Sequence, residues 1–109
     1  MNIFESFKNL DIRTGTIVKS AVFIEAKKPA YKLWIDFGAK GIKKTSAQIT
    51  DLYVVEELIG KQVVAVINFE PKQIANFMSE CLVLGAVGDG GKVTLLTTER
   101  VVENGVRVG

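Results

Sequence analysis

Short runs of alternating or continuous apolar residues, separated by turn residues, predict a chain built mainly of strands. Lys32-Leu33-Trp34-Ile35-Asp36-Phe37 alternates, so Leu33, Ile35 and Phe37 share one face and Lys32, Trp34 and Asp36 the other. Trp34 on the polar face either stacks on a ligand or covers the N-terminal segment. Residues 12–24 read as a long strand in which Gly15 allows a bend. Residues 42–49, with a polar middle, suit a partly exposed strand entered through a turn between Gly38 and Gly41. The β-branched run Val63-Val64-Ala65-Val66-Ile67 marks residues 62–69 as a buried central strand, and residues 81–87 supply another. Asp89-Gly90-Gly91 and Asn104-Gly105 read as hairpin turns among Val- and Thr-rich segments at residues 93–98 and 101–108.

Two helical stretches interrupt this pattern. Ile3, Phe7 and Leu10, with Phe4 beside them, follow helical spacing, and so short a helix needs the barrel or another subunit to cover its apolar stripe. Asp51 can start a second helix over residues 54–58, with Glu56 and Glu57 near its positive end and Gly60 closing it. Five strands in one curved sheet, with a short helix between the third and fourth, is the element order of an OB-fold barrel. The expected fold is therefore all-β: a five-stranded OB-fold barrel with short helices and N- and C-terminal extensions, residues 1–109 forming one domain. The apolar residues at the N-terminus and after Val93 exceed what such a barrel covers, which predicts a homodimer joined through them.

Composition narrows the chemistry. The 109 residues contain no histidine and a single cysteine, Cys81. This removes the usual general base, the usual zinc ligand, any internal disulfide and any cysteine-rich metal site. No phosphate-loop, dinucleotide or metalloprotease motif is present, so the chain is expected not to be an enzyme. No apolar run reaches the roughly 20 residues that cross a bilayer, and no secretory signal opens the chain. A cytoplasmic location without membrane insertion is expected. Charge is uneven: residues 1–50 carry nine basic and four acidic side chains, residues 51–109 five and eight. Lys27, Lys28, Lys32, Lys40, Lys43 and Lys44 flank Tyr31 and Trp34, a cluster that either attracts a polyanion or forms a solvated face.

The stretch after the central strand, residues 68–84, mixes amides, aromatics, a lysine and a methionine in what reads as a loop. Asn68, Phe69, Lys72, Phe77, Met78 and Ser79 there either contact a ligand or, for the apolar ones, cap one end of the barrel.

Asp11-Ile12-Arg13-Thr14-Gly15-Thr16-Ile17, Pro29-Ala30-Tyr31-Lys32-Leu33, Glu56-Glu57-Leu58-Ile59-Gly60-Lys61 and Asn68-Phe69-Glu70-Pro71-Lys72 together resemble the tRNA-binding domain family of methionyl-tRNA synthetases and endothelial-monocyte-activating polypeptide. The run from Lys43 to Tyr53, with Phe77-Met78-Ser79-Glu80, resembles its free-standing CsaA chaperone branch. The resemblance implies a dimeric OB-fold without cofactor, serving protein export by binding unfolded or precursor polypeptide and the translocation ATPase SecA. Glu70, Gln73, Ala75 and Asn76 stand where the family often has lysine, lysine, arginine and glycine, so positive charge is lost from this loop. That shift favours peptide over tRNA. The expected peptide residues are Trp34, Gln48, Asn68, Phe69, Lys72, Phe77, Met78 and Ser79. For the alternative ligand, tRNA, they are Arg13, Lys27, Lys28, Lys32, Lys43, Lys44, Asn68, Lys72 and Ser79.

Overall fold

The computed structural model describes the chain from Met1 to Gly109. After helix α1 (Ile3–Asn9) come strands β1 (Ile12–Val22), β2 (Tyr31–Asp36), β3 (Ile42–Ala47) and β4 (Gln62–Val66). The hairpin strands β5 (Lys72–Ile74) and β6 (Phe77–Ser79) follow, then β7 (Leu82–Val83), β8 (Gly85–Val87) and β9 (Val93–Leu95). Five strands in the order β3-β2-β1-β4-β7, every neighbouring pair antiparallel, curl into a nearly closed barrel of the OB type. No helix is long and apolar enough to cross a membrane.

Alternation along β2 sorts its residues as its pattern predicts. Leu33, Ile35 and Phe37 are fully buried and join Ile17, Leu58, Val63 and Ala65 in the main core. The bend of β1 has a different origin from the one expected at Gly15. Register slips by one residue at Val18, between Ile17↔Ile35 and Lys19↔Trp34, so a bulge turns the strand. Gly15 is instead needed for close packing, since a Cβ there would meet Ile35 and Phe37 at 2.6 and 2.7 Å.

Three further expectations are corrected. The helix expected at residues 54–58 is present but is a 3-10 helix (Val55–Leu58), capped not by Asp51 but by Glu57, whose Oε1 accepts the Val54 N–H at 3.0 Å. The central strand stops at Val66, and the presumed loop beyond it folds into the β5–β6 hairpin. Its two-residue turn, Ala75-Asn76, holds Ala75 at φ 51. Finally, Asn104-Gly105 does not turn a hairpin. It folds the C-terminal arm along β1, where Gly105 N–H donates to Thr14 O (2.7 Å) and Val108 N–H to Ile12 O (2.8 Å). Gly105, at φ +85, packs directly on the Phe37 carbonyl, a place with no room for a side chain.

The N-terminal helix is fastened only at its end. Arg107 Nη2 donates to Lys8 O at 3.0 Å and Asn68 Nδ2 to Asn9 O at 2.8 Å, meeting carbonyls the helix leaves open. Its apolar stripe stays in solvent: Ile3 is 88% and Phe4 68% exposed.

Candidate functional site

Cross-strand register assembles a lysine–aromatic face on the outside of β1, β2 and β3. Trp34 stands opposite Lys19 on one side and Lys44 on the other. The Lys19 ammonium lies 4.4 Å from the Trp34 ring centre. Phe77, carried in by the hairpin, meets Trp34 edge-on at 5.8 Å and Phe23 at 5.5 Å. Lys32 Nζ sits 5.3 Å and Lys44 Nζ 5.1 Å from the Phe77 ring. Each such contact contributes about 0.5–1 kcal/mol at a solvated site, which fixes the lysine stems while the heads stay available. Only Lys32 has an acidic partner, Glu25 at 3.7 Å; Lys19 and Lys44 have none.

Beside this face the β5–β6 hairpin overhangs the edge of β3 and creates two clefts that share Ser46 and Ile74. The first, about 490 Å³, is walled by Phe69, Lys72, Ser79, Cys81 and Leu82. The second, about 460 Å³, is bordered by Lys27, Lys28, Gln48 and Gln73. Phe69 (48% exposed), Met78 (40%) and Leu82 (49%) keep apolar surface in solvent around the hairpin. Apolar walls and a few polar groups suit recognition of an extended ligand.

The structure gathers some predicted residues and spends others. Phe69, Lys72 and Ser79 meet in the first cleft, and Lys27, Lys28 and Gln48 in the second. Trp34 is half-buried on the lysine face, as its place on the polar side of β2 required. Phe77 is only 7% exposed, so it belongs to a packed cluster with Phe23 and Ala30 and not to an exposed apolar patch. Asn68 is occupied at both ends of its amide: Oδ1 accepts the Asp11 N–H at 3.0 Å while Nδ2 holds Asn9 O. Arg13 is likewise engaged, donating to Asp11 Oδ1 at 2.6 Å and to Gly105 O at 3.1 Å, away from the lysine face. Lys43 pairs with buried Ile35 in register, which puts it on the opposite side of β3 from Lys44. Ser79 Oγ lies 2.8 Å from Thr45 Oγ1, so it latches the hairpin to β3 as well as lining the cleft.

Lys19, Phe23, Ser46 and Leu82 escaped the sequence reading. Lys19 and Phe23 enter the face only through strand pairing and hairpin docking, which leave no local signal. Cys81 lines the first cleft without being reactive: burial pushes its thiol up to about 12, against the opposing pull of Lys43.

A family model described as "Putative tRNA binding domain" matches residues 12–107. The chain is similar to the methionine–tRNA ligase of Archaeoglobus fulgidus, 40% identical over 104 residues, which are 95% of this chain and 15% of that protein. It spans about 15% of the length of the methionine–tRNA ligases it matches. Among solved structures, chaperone CsaA from Bacillus anthracis superposes with a TM-score of 0.94 at 50% identity, covering 100% of this chain and 99% of that one. The CsaA chaperone protein from Picrophilus torridus gives 0.92 at 51% identity, with both chains covered in full.

Proposed function

The chain belongs to the tRNA-binding domain family, in its CsaA-type branch, and from that premise we propose that it is an export-related chaperone. As a cytoplasmic homodimer it holds unfolded or precursor polypeptides reversibly, without catalysis or cofactor, and passes them to SecA. The observation that carries this reading is the pair of adjoining clefts under the hairpin, with Phe69, Met78 and Leu82 exposed around them. Exposed apolar surface of this kind, including a flexible thioether, adapts to many side chains. Affinity is modest, because ordering a disordered chain offsets much of the contact energy. The dimer reading is supported by Ile3 (88% exposed), Phe4 (68%) and Val101 (91%), apolar side chains this chain alone leaves uncovered. Such an interface is expected to exceed about 1,200 Å², and a stable monomer by light scattering would count against it.

The test is suppression of aggregation of a chemically unfolded client. The double variant Phe69→Ser, Met78→Ser is expected to lose suppression while remaining folded, its melting temperature lowered by at most about ten degrees, since both side chains are already about half in solvent. Full suppression by that variant refutes the assignment of the surface.

A second reading, structure-selective tRNA binding, is favoured by one observation: Lys19, Lys32 and Lys44 converge on one face and only Lys32 is in an ion pair, with Glu25. Replacing all three with glutamine is expected to lower the salt slope of tRNA binding by about 0.7–0.9 per lost phosphate contact. An unchanged slope would remove this face from any RNA contact.

A further inference from the structure

The two clefts under the β5–β6 hairpin lie in line from its base to its tip. Lys72 pairs with Ser79 and Ile74 with Phe77, and this face of the hairpin is the one that Phe77 and Ser79 fasten to the barrel. Lys72, Ser79 and Cys81 line the first cleft at the base, while Gln73 and Ala75 line the second at the tip. Ser46 and Ile74 border both, so the two adjoin. From Lys72 to Ala75 the strand advances about 10 Å.

The clefts differ in charge. Glu70 and Lys72 stand at the first, one of each sign, beside its apolar walls. At the second stand Lys27 and Lys28, from the loop between β1 and β2, and neither is in an ion pair. Glu25, the one carboxylate that lines it, is paired with Lys32 at 3.7 Å. Ala26, Ala30 and Ile74 give the second cleft small apolar walls, and Gln48 places an amide on its border. Two unpaired ammonium groups beside such walls suit an anion carried on a short aliphatic stem.

We infer that the adjoining clefts read a pair of side chains in a client polypeptide: an apolar one seated in the first, and a glutamate two or three residues away whose carboxylate meets Lys27 and Lys28 at the second. An extended chain advances about 3.3 Å per residue, so two or three residues cover about 7–10 Å, the offset of the clefts along the hairpin. Two features favour a glutamate over the phosphates of a nucleic acid. Its methylenes cover Ala26, Ala30 and Ile74, which a phosphate leaves wet. The balanced charges at the first cleft give a second, neighbouring phosphate no net attraction, whereas an apolar side chain needs none. The carboxylate stays in contact with water, so the contact adds selectivity more than affinity. The inference rests on the polypeptide-holding reading and adds which segments are preferred.

The experiment uses the full chain and labelled peptides of about ten residues, read by fluorescence anisotropy. Each peptide carries one tryptophan in a Gln/Ala background and a single glutamate one, two, three or five positions from it; the control has glutamine there. Reduced carboxymethylated α-lactalbumin serves as a general unfolded client. Glutamate at two or three positions is expected to tighten binding about three- to tenfold over the control. The variant Lys27→Gln, Lys28→Gln is expected to bind all the peptides alike. A glutamate effect that is absent, independent of spacing, or retained in that variant overturns the paired reading, and leaves the parent reading standing if α-lactalbumin is still held. Failure to hold α-lactalbumin or any peptide overturns both. Displacement of the glutamate peptide by an RNA of about ten nucleotides, at concentrations below the peptide's own Kd, assigns the second cleft to phosphate and overturns the carboxylate.

Discussion

Substituting Phe77 and Met78 one at a time separates packing from binding. They are neighbours on β6, yet alternation sends them to opposite sides: Phe77 is 7% exposed and Met78 40%. Truncating a buried phenylalanine costs about 3–5 kcal/mol through lost transfer energy and the cavity left behind. Within that sum lie two edge-on ring contacts of about 0.5–1.5 kcal/mol each. Two ammonium contacts, from Lys32 and Lys44, add about 0.5–1 kcal/mol each. Phe77 sits in a satellite cluster with Phe23 and Ala30, separate from the ten-residue main core. The loss is therefore expected to open the β5–β6 hairpin as a local unit before it unfolds the barrel. Phe77→Ser should abolish exchange protection of the hairpin amides, leave those of β4 slow, and lower the melting temperature by less than a main-core truncation would. Met78→Ser, which removes a side chain already 40% in solvent, should cost about 1–2 kcal/mol. Two results would refute this reasoning: a Phe77→Ser hairpin as protected as the parent, or a Met78→Ser melt as low as that of Phe77→Ser.

Asn68→Ala removes the bonds to Asp11 N–H and Asn9 O and should cost about 1–2 kcal/mol; α1 then frays in circular dichroism, and dilution is expected to dissociate the proposed dimer earlier in light scattering. Ala75→Gly relieves a positive φ of 51 in the hairpin turn and should stabilise by about 1 kcal/mol, read from the denaturant midpoint. Burial raises the Cys81 thiol from about 9 to about 12, so between those values the folded chain binds more protons than the unfolded one. Stability from this group is thus whole below about pH 9 and falls as pH rises, by at most about 1.4 kcal/mol per unit. Cys81→Ala should flatten that difference in paired denaturant titrations at pH 7.5 and 10.

What could be read in the sequence depended on the range of the interaction involved. Leu33, Ile35 and Phe37 announced their burial because a period of two is a local property of one strand. The β5–β6 hairpin did not, because three-residue strands hold too little periodicity and Ala75-Asn76 lacks the glycine that usually marks such a turn. The bulge at Val18 was invisible because it exists only relative to β2. Asn68 looked free for a ligand because its partners, Asp11 and Asn9, lie 57 and 59 residues away along the chain, and the Gly105 carbonyl that completes the Arg13 contacts lies 92 residues away. The same distance effect hid Lys19, whose role comes from standing opposite Trp34.

The two halves of the site make opposite demands on a ligand, and this divides the competing readings more sharply than either half alone. The lysine–aromatic face offers three ammonium groups on a packed aromatic base, while the first hairpin cleft offers apolar walls at Phe69, Ile74 and Leu82. A polyanion satisfies the face and leaves the first cleft wet; its binding should weaken steeply with salt and carry little heat-capacity change. An extended polypeptide fills the first cleft and meets the lysines only where it carries acidic side chains. Its binding should show a clearly negative heat-capacity change and a shallow salt slope, steepened by adding aspartates to the client and flattened again by Lys19→Gln and Lys44→Gln. Calorimetry at several temperatures and salt concentrations on one unfolded client measures both quantities. A steep slope with no heat-capacity change, for a client without acidic residues, would place the contact on charge alone and contradict the apolar clefts as the holding surface.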